Sequence, residues 1–312
     1  MGKILEIILG ILFVALISSP ATAENAKPCQ LIKLTSLDMA TSPDGTFSIP
    51  AVFNETPVRL TVDTGSDASS IVNEVALEMN AKRVYMRGGV FMNNIGVNTG
   101  TYIDSFRIGM IHSEDRWGLL IVPNSLVSTT VSGLLGPDIM RDFDVEFDFL
   151  HNKFNLFKRD ECPGDPVYWT HDAYAAVSFA QGAGSQIVVP ASLDGQSVRV
   201  FIDTGSSIST MSLAAARKLF GLAENDPRVK FTRYERINGG AWAPQYTFPF
   251  ASLSLEGVAI SNPQIQLLPQ NSFDLGRPGN AEVVLGMTVL RQLHMYVDYG
   301  DQTIYFTGAE TQ

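Results

Sequence analysis

The apolar positions of this chain fall in short β-like runs separated by turn residues, so the chain reads as β-rich. In the first half the predicted strands are Gln30–Thr35, Thr46–Phe53, Val58–Val62, Tyr102–Ile108, Leu119–Val122, Asp144–Phe149 and Phe154–Phe157. The second half offers Ala175–Phe179, Gln186–Leu193, Val198–Ile202, Phe248–Leu255, Ile265–Leu268, Met295–Tyr299 and Thr303–Phe306. Pro43-Asp44-Gly45, Asp194-Gly195, Glu256-Gly257 and Gly300-Asp301 supply turn chemistry between them. Asn73–Met79 and Leu213–Phe220 have helical composition and an apolar face, which predicts two short helices.

The two halves are copies. Asp-Thr-Gly-Ser occurs at Asp63–Ser66 and again at Asp203–Ser206, each time closing an apolar run, Val58–Val62 or Val198–Ile202. With the offset of 140 (203 − 63), Pro50 falls on Pro190, Ala51 on Ala191, Arg59 on Arg199 and Ser69 on Ser209. A second block repeats at an offset of 150 (286 − 136): Leu134-Leu135-Gly136 matches Val284-Leu285-Gly286, Arg141 matches Arg291 and Asp148 matches Asp298. Two copies are too few for a solenoid and predict two similar lobes packed together. The organisation read from the chain is a leader at 1–23, a first lobe at 24–158, a linker at 159–172 around Pro163-Gly164-Asp165-Pro166, and a second lobe at 173–312.

Composition narrows the class. The 312 residues suffice for two domains, and 45% hydrophobic content supports real cores. A net charge of −10 argues against a nucleic-acid partner, which would need a basic patch. Lys3, the apolar stretch Ile7–Ile17 and Ala21-Thr22-Ala23 form an n-region, an h-region and a small-x-small cleavage site. The apolar stretch is short for a membrane span of about 20 residues. Cleavage after Ala23 is therefore expected, with the mature chain exported to a periplasmic or extracellular space and not stably inserted in a membrane. The only cysteines, Cys29 and Cys162, flank the first lobe. In an oxidising compartment such a pair points to a disulfide, with two unpaired buried thiols as the other reading.

The duplicated turn carries the chemistry. An aspartate at the end of a rigid strand is placed accurately, and the glycine lets other groups approach the backbone. The Thr and Ser hydroxyls can bond backbone across the interface or the carboxylate itself. Two carboxylates in contact cannot both ionise; one then serves as base toward water while the other, protonated, polarises a carbonyl. Asp63 and Asp203 are thus the candidate catalytic pair, supported by Thr64, Gly65, Ser66, Thr204, Gly205 and Ser206. His112, His151, His171 and His294 are scattered without metal-ligand spacing, and no Gly-x-Ser-x-Gly elbow or phosphate loop is present.

Hydrophobic-hydrophobic-Asp-Thr-Gly-Ser followed 73 residues (136 − 63) or 83 residues (286 − 203) later by hydrophobic-hydrophobic-Gly resembles the aspartic peptidases of the retropepsin and pepsin group, over roughly residues 30–160 and 173–308. The resemblance implies an all-β, bilobal, pseudo-two-fold acid-protease fold with two β-barrel-like lobes and short helices. It implies that Leu135-Gly136 and Leu285-Gly286 support the aspartate loops, and that Thr64 and Thr204 cross-link them. It implies a glycine-bearing flap near Gly88-Gly89, with a counterpart near Gly239-Gly240. The activity implied is peptide-bond hydrolysis by a monomer acting on a peptide or protein substrate, on the acidic side of neutrality, without metal or organic cofactor. The other reading is a catalytically silent peptide-binding or regulatory protein on the same fold. A structural envelope protein would leave the paired motif unexplained.

Overall fold

The computed structural model describes residues 31–92, 95–159, 166–181, 186–236, 242–269 and 281–309. The fold is all-β with two lobes and few short helices. The main strands of the first lobe are β1 (Lys33–Asp38), β2 (Phe47–Phe53), β3 (Thr56–Val62), β4 (Ser70–Val72), β5 (Val84–Met92), β6 (Ile95–Ile103), β7 (Trp117–Val122), β8 (Gly133–Leu135), β9 (Phe143–Asp148) and β10 (Lys153–Lys158). The second lobe repeats the series as β11 (Ala175–Ser178), β12 (Ile187–Leu193), β13 (Gln196–Ile202), β14 (Ser209–Ser212), β15 (Lys230–Arg236), β16 (Trp242–Thr247), β17 (Ile265–Leu268), β18 (Val283–Leu285), β19 (Leu293–Asp298) and β20 (Thr303–Gly308).

Each lobe folds its middle strands into one sheet, and the strand order is the same in both: β5-β6-β7-β4-β8-β3-β2, and β15-β16-β17-β14-β18-β13-β12. Alternation decides which side faces inward. Val58, Leu60 and Val62 are buried on β3, as are Val198, Val200 and Ile202 on β13, and all six join the main apolar core. The two predicted helices form as α1 (Asn73–Glu78) and α3 (Leu213–Phe220). Ser212 caps α3 by accepting from the Ala215 amide at 2.9 Å, and Gly221 ends it in the left-handed region at φ 67°. Two further one-turn helices, α2 (Pro137–Met140) and α4 (Met287–Leu290), follow the glycines of the second repeated block.

Two predicted strands are shorter than the sequence pattern implied. Tyr102–Ile108 breaks at Asp104-Ser105, whose amides both donate to the Asn54 side chain (2.8 and 3.1 Å), and a separate strand resumes at Phe106. Phe248–Leu255 begins only at Ser252: Pro249 has no amide to give a ladder, and the Ala251 and Ser252 amides are taken by Asp194, both at 2.8 Å. Asn54 and Asp194 are repeat mates (194 − 54 = 140), so the same corner is built twice.

The lobes are joined by a third sheet with the order β1-β10-β9-β19-β20-β11. Its centre is the antiparallel pairing of β9 with β19, in which Glu146 stands opposite Tyr296. These residues are repeat mates in the second block (296 − 146 = 150), so the pseudo-two-fold axis passes between them. Val145 and Phe147 face Val297 and Met295 and merge the two lobes into one continuous core. Cys29, Cys162, the expected leader at 1–23 and Gly239-Gly240 lie outside the described residues. In the linker, residues 166–172 form neither strand nor helix.

Candidate active site

The repeated turns meet on the pseudo-two-fold axis. β8 runs parallel to β3 and β18 parallel to β13, which brings Leu135 beside Val62 and Leu285 beside Ile202. The Asp63 amide donates to the Leu135 carbonyl and the Asp203 amide to the Leu285 carbonyl, both at 2.9 Å. Each aspartate is thereby held at the mouth of a buried strand pair. Gly136 and Gly286 are needed where they stand. A Cβ on Gly136 would press on the Ser66 hydroxyl and the Ala68 backbone, and one on Gly286 would overlap the Ile208 and Ser206 carbonyls.

Four reciprocal hydrogen bonds tie the turns together. The Thr64 amide donates to the Thr204 hydroxyl (3.0 Å) and the Thr204 amide to the Thr64 hydroxyl (3.1 Å). The Thr64 hydroxyl donates to the Ile202 carbonyl (2.8 Å), and the Thr204 hydroxyl to the Val62 carbonyl (2.7 Å). Both threonines are buried, so every polar atom in this cross-link is satisfied within the protein.

The carboxyl groups of Asp63 and Asp203 are hydrogen-bonded to each other. Each also accepts from its own turn: Asp63 from the Gly65 amide (2.9 Å), Asp203 from the Gly205 and Ser206 amides (both 3.0 Å). Each carboxyl lies over the glycine of the opposite turn, Asp203 on Gly65 and Asp63 on Gly205, so closely that a Cβ there would overlap it. The serine hydroxyls do not touch the carboxylates. Ser66 donates to the Asp63 carbonyl (3.2 Å) and Ser206 to the Ile208 carbonyl (2.8 Å), so they brace the turn backbone.

Burial pushes both acids up. Asp63 reaches about 6, although the Gly65 and Ser66 amides and the bond to Asp203 pull it down. Asp203 is raised well above the usual carboxylate range, by burial first and then by the negative charge of Asp63. Above about pH 6 the pair therefore holds one proton, with Asp63 ionised and Asp203 neutral. This has a consequence for stability. The folded pair keeps protons that the unfolded chain releases above the ordinary aspartate value of 3.8, so its contribution is complete below that value and is lost as pH rises through about 6 and beyond. Asp203→Asn is expected to gain stability over the parent chain as pH goes from 4 toward 7, read as the difference in urea midpoint. A constant difference across that range would contradict the raised values.

Sequence reasoning missed the supports behind the turns. Ser69 accepts from the Gly136 amide (2.9 Å) and donates to the Asp138 carboxylate (2.7 Å), which also takes the Ser69 amide (2.8 Å). In the second lobe Ser209 accepts from the Gly286 amide (3.0 Å), and Thr288 takes the place of Asp138 by accepting from the Ser209 amide (2.9 Å). The signal was present in the Ser69–Ser209 repeat match. Gln186 gave none. It is buried and donates across the lobes to the Gly65 carbonyl (2.9 Å) and the Asp67 carboxylate (3.2 Å).

The predicted flap glycines of the first lobe stand in a strand arm. Gly88 and Gly89 belong to β5, which pairs with β6 except for an irregularity between Tyr85 and Val90, and Gly89 takes φ +53° there. They therefore form a bulge, where a positive φ favours glycine, and not the hairpin tip. In the second lobe β15 and β16 pair up to Arg236 opposite Trp242. A cavity of about 570 Å³ opens just past the Asp203 turn, bounded by Asp44 from the first lobe and by Ser207, Ile208, Arg233 and Arg291 from the second.

A duplicated Asp-Thr-Gly-Ser turn, cross-linked on a two-fold axis with its carboxyls in contact, defines a protein built around an aspartic dyad. Residues 189–289, most of the second lobe and including Asp203, match the family model described as aspartyl protease. No curated protein matches the chain.

Proposed function

We propose that the protein is an aspartic endopeptidase. The observation that carries this reading is the contact of Asp63 with Asp203 on two cross-linked turns. Ionised Asp63 takes a proton from a water between the two carboxyls, and neutral Asp203 donates to the scissile carbonyl as the tetrahedral intermediate forms. Asp63 then gives its proton to the leaving nitrogen while Asp203 takes one back from a hydroxyl of the intermediate, which collapses and leaves Asp63 ionised and Asp203 neutral again. The peptide lies across the dyad between the lobes, and the β5–β6 and β15–β16 hairpins serve as the flaps. The test is cleavage of an unstructured protein by the purified mature chain and its inhibition by pepstatin. Absence of cleavage across pH 3–8 would favour a silent binding protein.

The same proposal includes export, a monomer, and a Cys29–Cys162 bridge. N-terminal sequencing of the exported protein is expected to find Glu24 first, and a thiol count without reductant is expected to find none free. A retained Met1 would remove export by cleavage, and two free thiols would remove the bridge.

A further inference from the structure

The seam between the lobes has a polar face that the dyad chemistry does not use. While Val145, Phe147, Met295 and Val297 point into the core, Asp144, Glu146 and Asp148 on β9 and His294, Tyr296 and Asp298 on β19 share the opposite face. Asp144, Glu146, His294 and Tyr296 are buried.

The two ends of this face are built differently. At one end Glu146 is fully partnered. One oxygen meets His294 Nε2 at 2.8 Å; the other accepts from Asn155 (2.8 Å) and from the Tyr168 hydroxyl (2.7 Å). The linker covers this end, with Trp169 stacked flat on His294 at 4.0 Å and its indole N–H donating to Thr307 at 3.0 Å. At the other end Asp144 has one bond, from the Tyr296 hydroxyl to Oδ2 at 3.2 Å. Its Oδ1 is buried with no hydrogen-bond partner among the described residues. Asp144 precedes Val145 and Asp298 follows Val297, so the two acids flank the last pair of the β9–β19 ladder. The charged groups around it are Asp298 and Asp301, which oppose its ionisation, and Arg159, which favours it.

We propose that this face is a pH-sensitive clasp between the lobes, in which ionisation of Asp144 near Asp298 loosens the pairing of β9 with β19. Like charges close together on paired strands repel, and a buried carboxylate oxygen without a partner is costly when charged. Burial, and then the charge of Asp298, raise Asp144 to about 7. Its contribution is therefore complete below 3.8 and is lost as pH rises through about 7. Glu146 works in the other sense. Burial opposes its charge, but the bonds from His294, Tyr168 and Asn155 win and hold it below the usual 4.5, so its contribution is lost in acid. The two trends balance, and the clasp is tightest, around the ordinary carboxylate values of 3.8 and 4.5.

Backbone hydrogen exchange of the full chain, corrected for the intrinsic pH dependence of exchange, tests this without any assay of hydrolysis. Through Asp144, protection of residues 143–148 and 293–298 is expected to fall about tenfold per pH unit from about 4 up to about 7 and to level off above it, because over that range the closed form holds the Asp144 proton and the open form has released it. Asp144→Asn keeps an acceptor for Tyr296 but cannot ionise, and is expected to lose about tenfold less protection per pH unit than the parent chain over that range. Asp298→Asn is expected to level off at a lower pH than the parent chain, since the charge raising Asp144 is gone. A parent chain with flat protection, an Asp144→Asn chain as steep as the parent, or an unmoved levelling-off in Asp298→Asn would each overturn the clasp.

Discussion

Asp203→Asn is expected to abolish peptide hydrolysis, with a loss of about 10³-fold or more in kcat, and Asp63→Asn to do the same. The two carboxyls share a hydrogen bond and one proton, and an amide at either position cannot exchange that proton between base and acid roles. Because they act as one unit, the double substitution is expected to be little worse than either single one. Ser66→Ala and Ser206→Ala are expected to be mild, since those hydroxyls bond only backbone carbonyls. In the parent chain kcat/KM should fall as pH drops below about 6, where Asp63 takes up its proton, and the upper limb belongs to Asp203. Single-turnover assays of the five variants on one peptide, with circular dichroism as the folding check, decide the matter. Near-normal hydrolysis by Asp203→Asn beside an inactive Asp63→Asn would refute a dyad spanning the lobes.

Gly205→Ala and Gly65→Ala should be almost as damaging, for a geometric reason. A methyl at Gly205 overlaps the Asp63 carboxyl and one at Gly65 overlaps that of Asp203, and both carboxyls are pinned by turn amides. The carboxyl must move, and a displacement of about 1 Å in a catalytic group costs about 10²-fold in rate. The Thr64–Thr204 cross-link lies below the overlap, so the lobes should stay joined and the melting temperature should change far less than the rate. Full activity in Gly205→Ala would mean that Asp63 does not work from the position described.

Much of this molecule could be read from its residues. The alternation in Val58–Val62 and Val198–Ile202 identified inward-facing strands, because a strand has period two whatever surrounds it. The exact repeat of Asp-Thr-Gly-Ser at matching places indicated both aspartates, and the Gly136 and Gly286 matches indicated the segments threaded behind them. Other features left no local trace. Tyr102–Ile108 looked like one strand because its composition is uniform; it breaks because Asn54, some fifty residues earlier, takes the Asp104 and Ser105 amides. Gln186 is an ordinary polar residue until the lobes close and place it beside the Gly65 carbonyl.

What the sequence by itself determined is therefore the unit: strand order within reach of period-two patterning, a turn whose residue types suit a placed carboxylate, and the fact of its duplication. Only the tertiary structure decided how the two units meet. The pairing of β9 with β19, the Thr64–Thr204 cross-link and the contact of Asp63 with Asp203 join residues 140 or more positions apart. So did the opposite fates of Asp144 and Glu146, two acids on one strand face, one raised and one lowered. The physical reason is the same in each case. Burial and the charge of a neighbour set the state of an ionisable group, and both are supplied by the part of the chain that packs against it, not by the residues beside it in sequence.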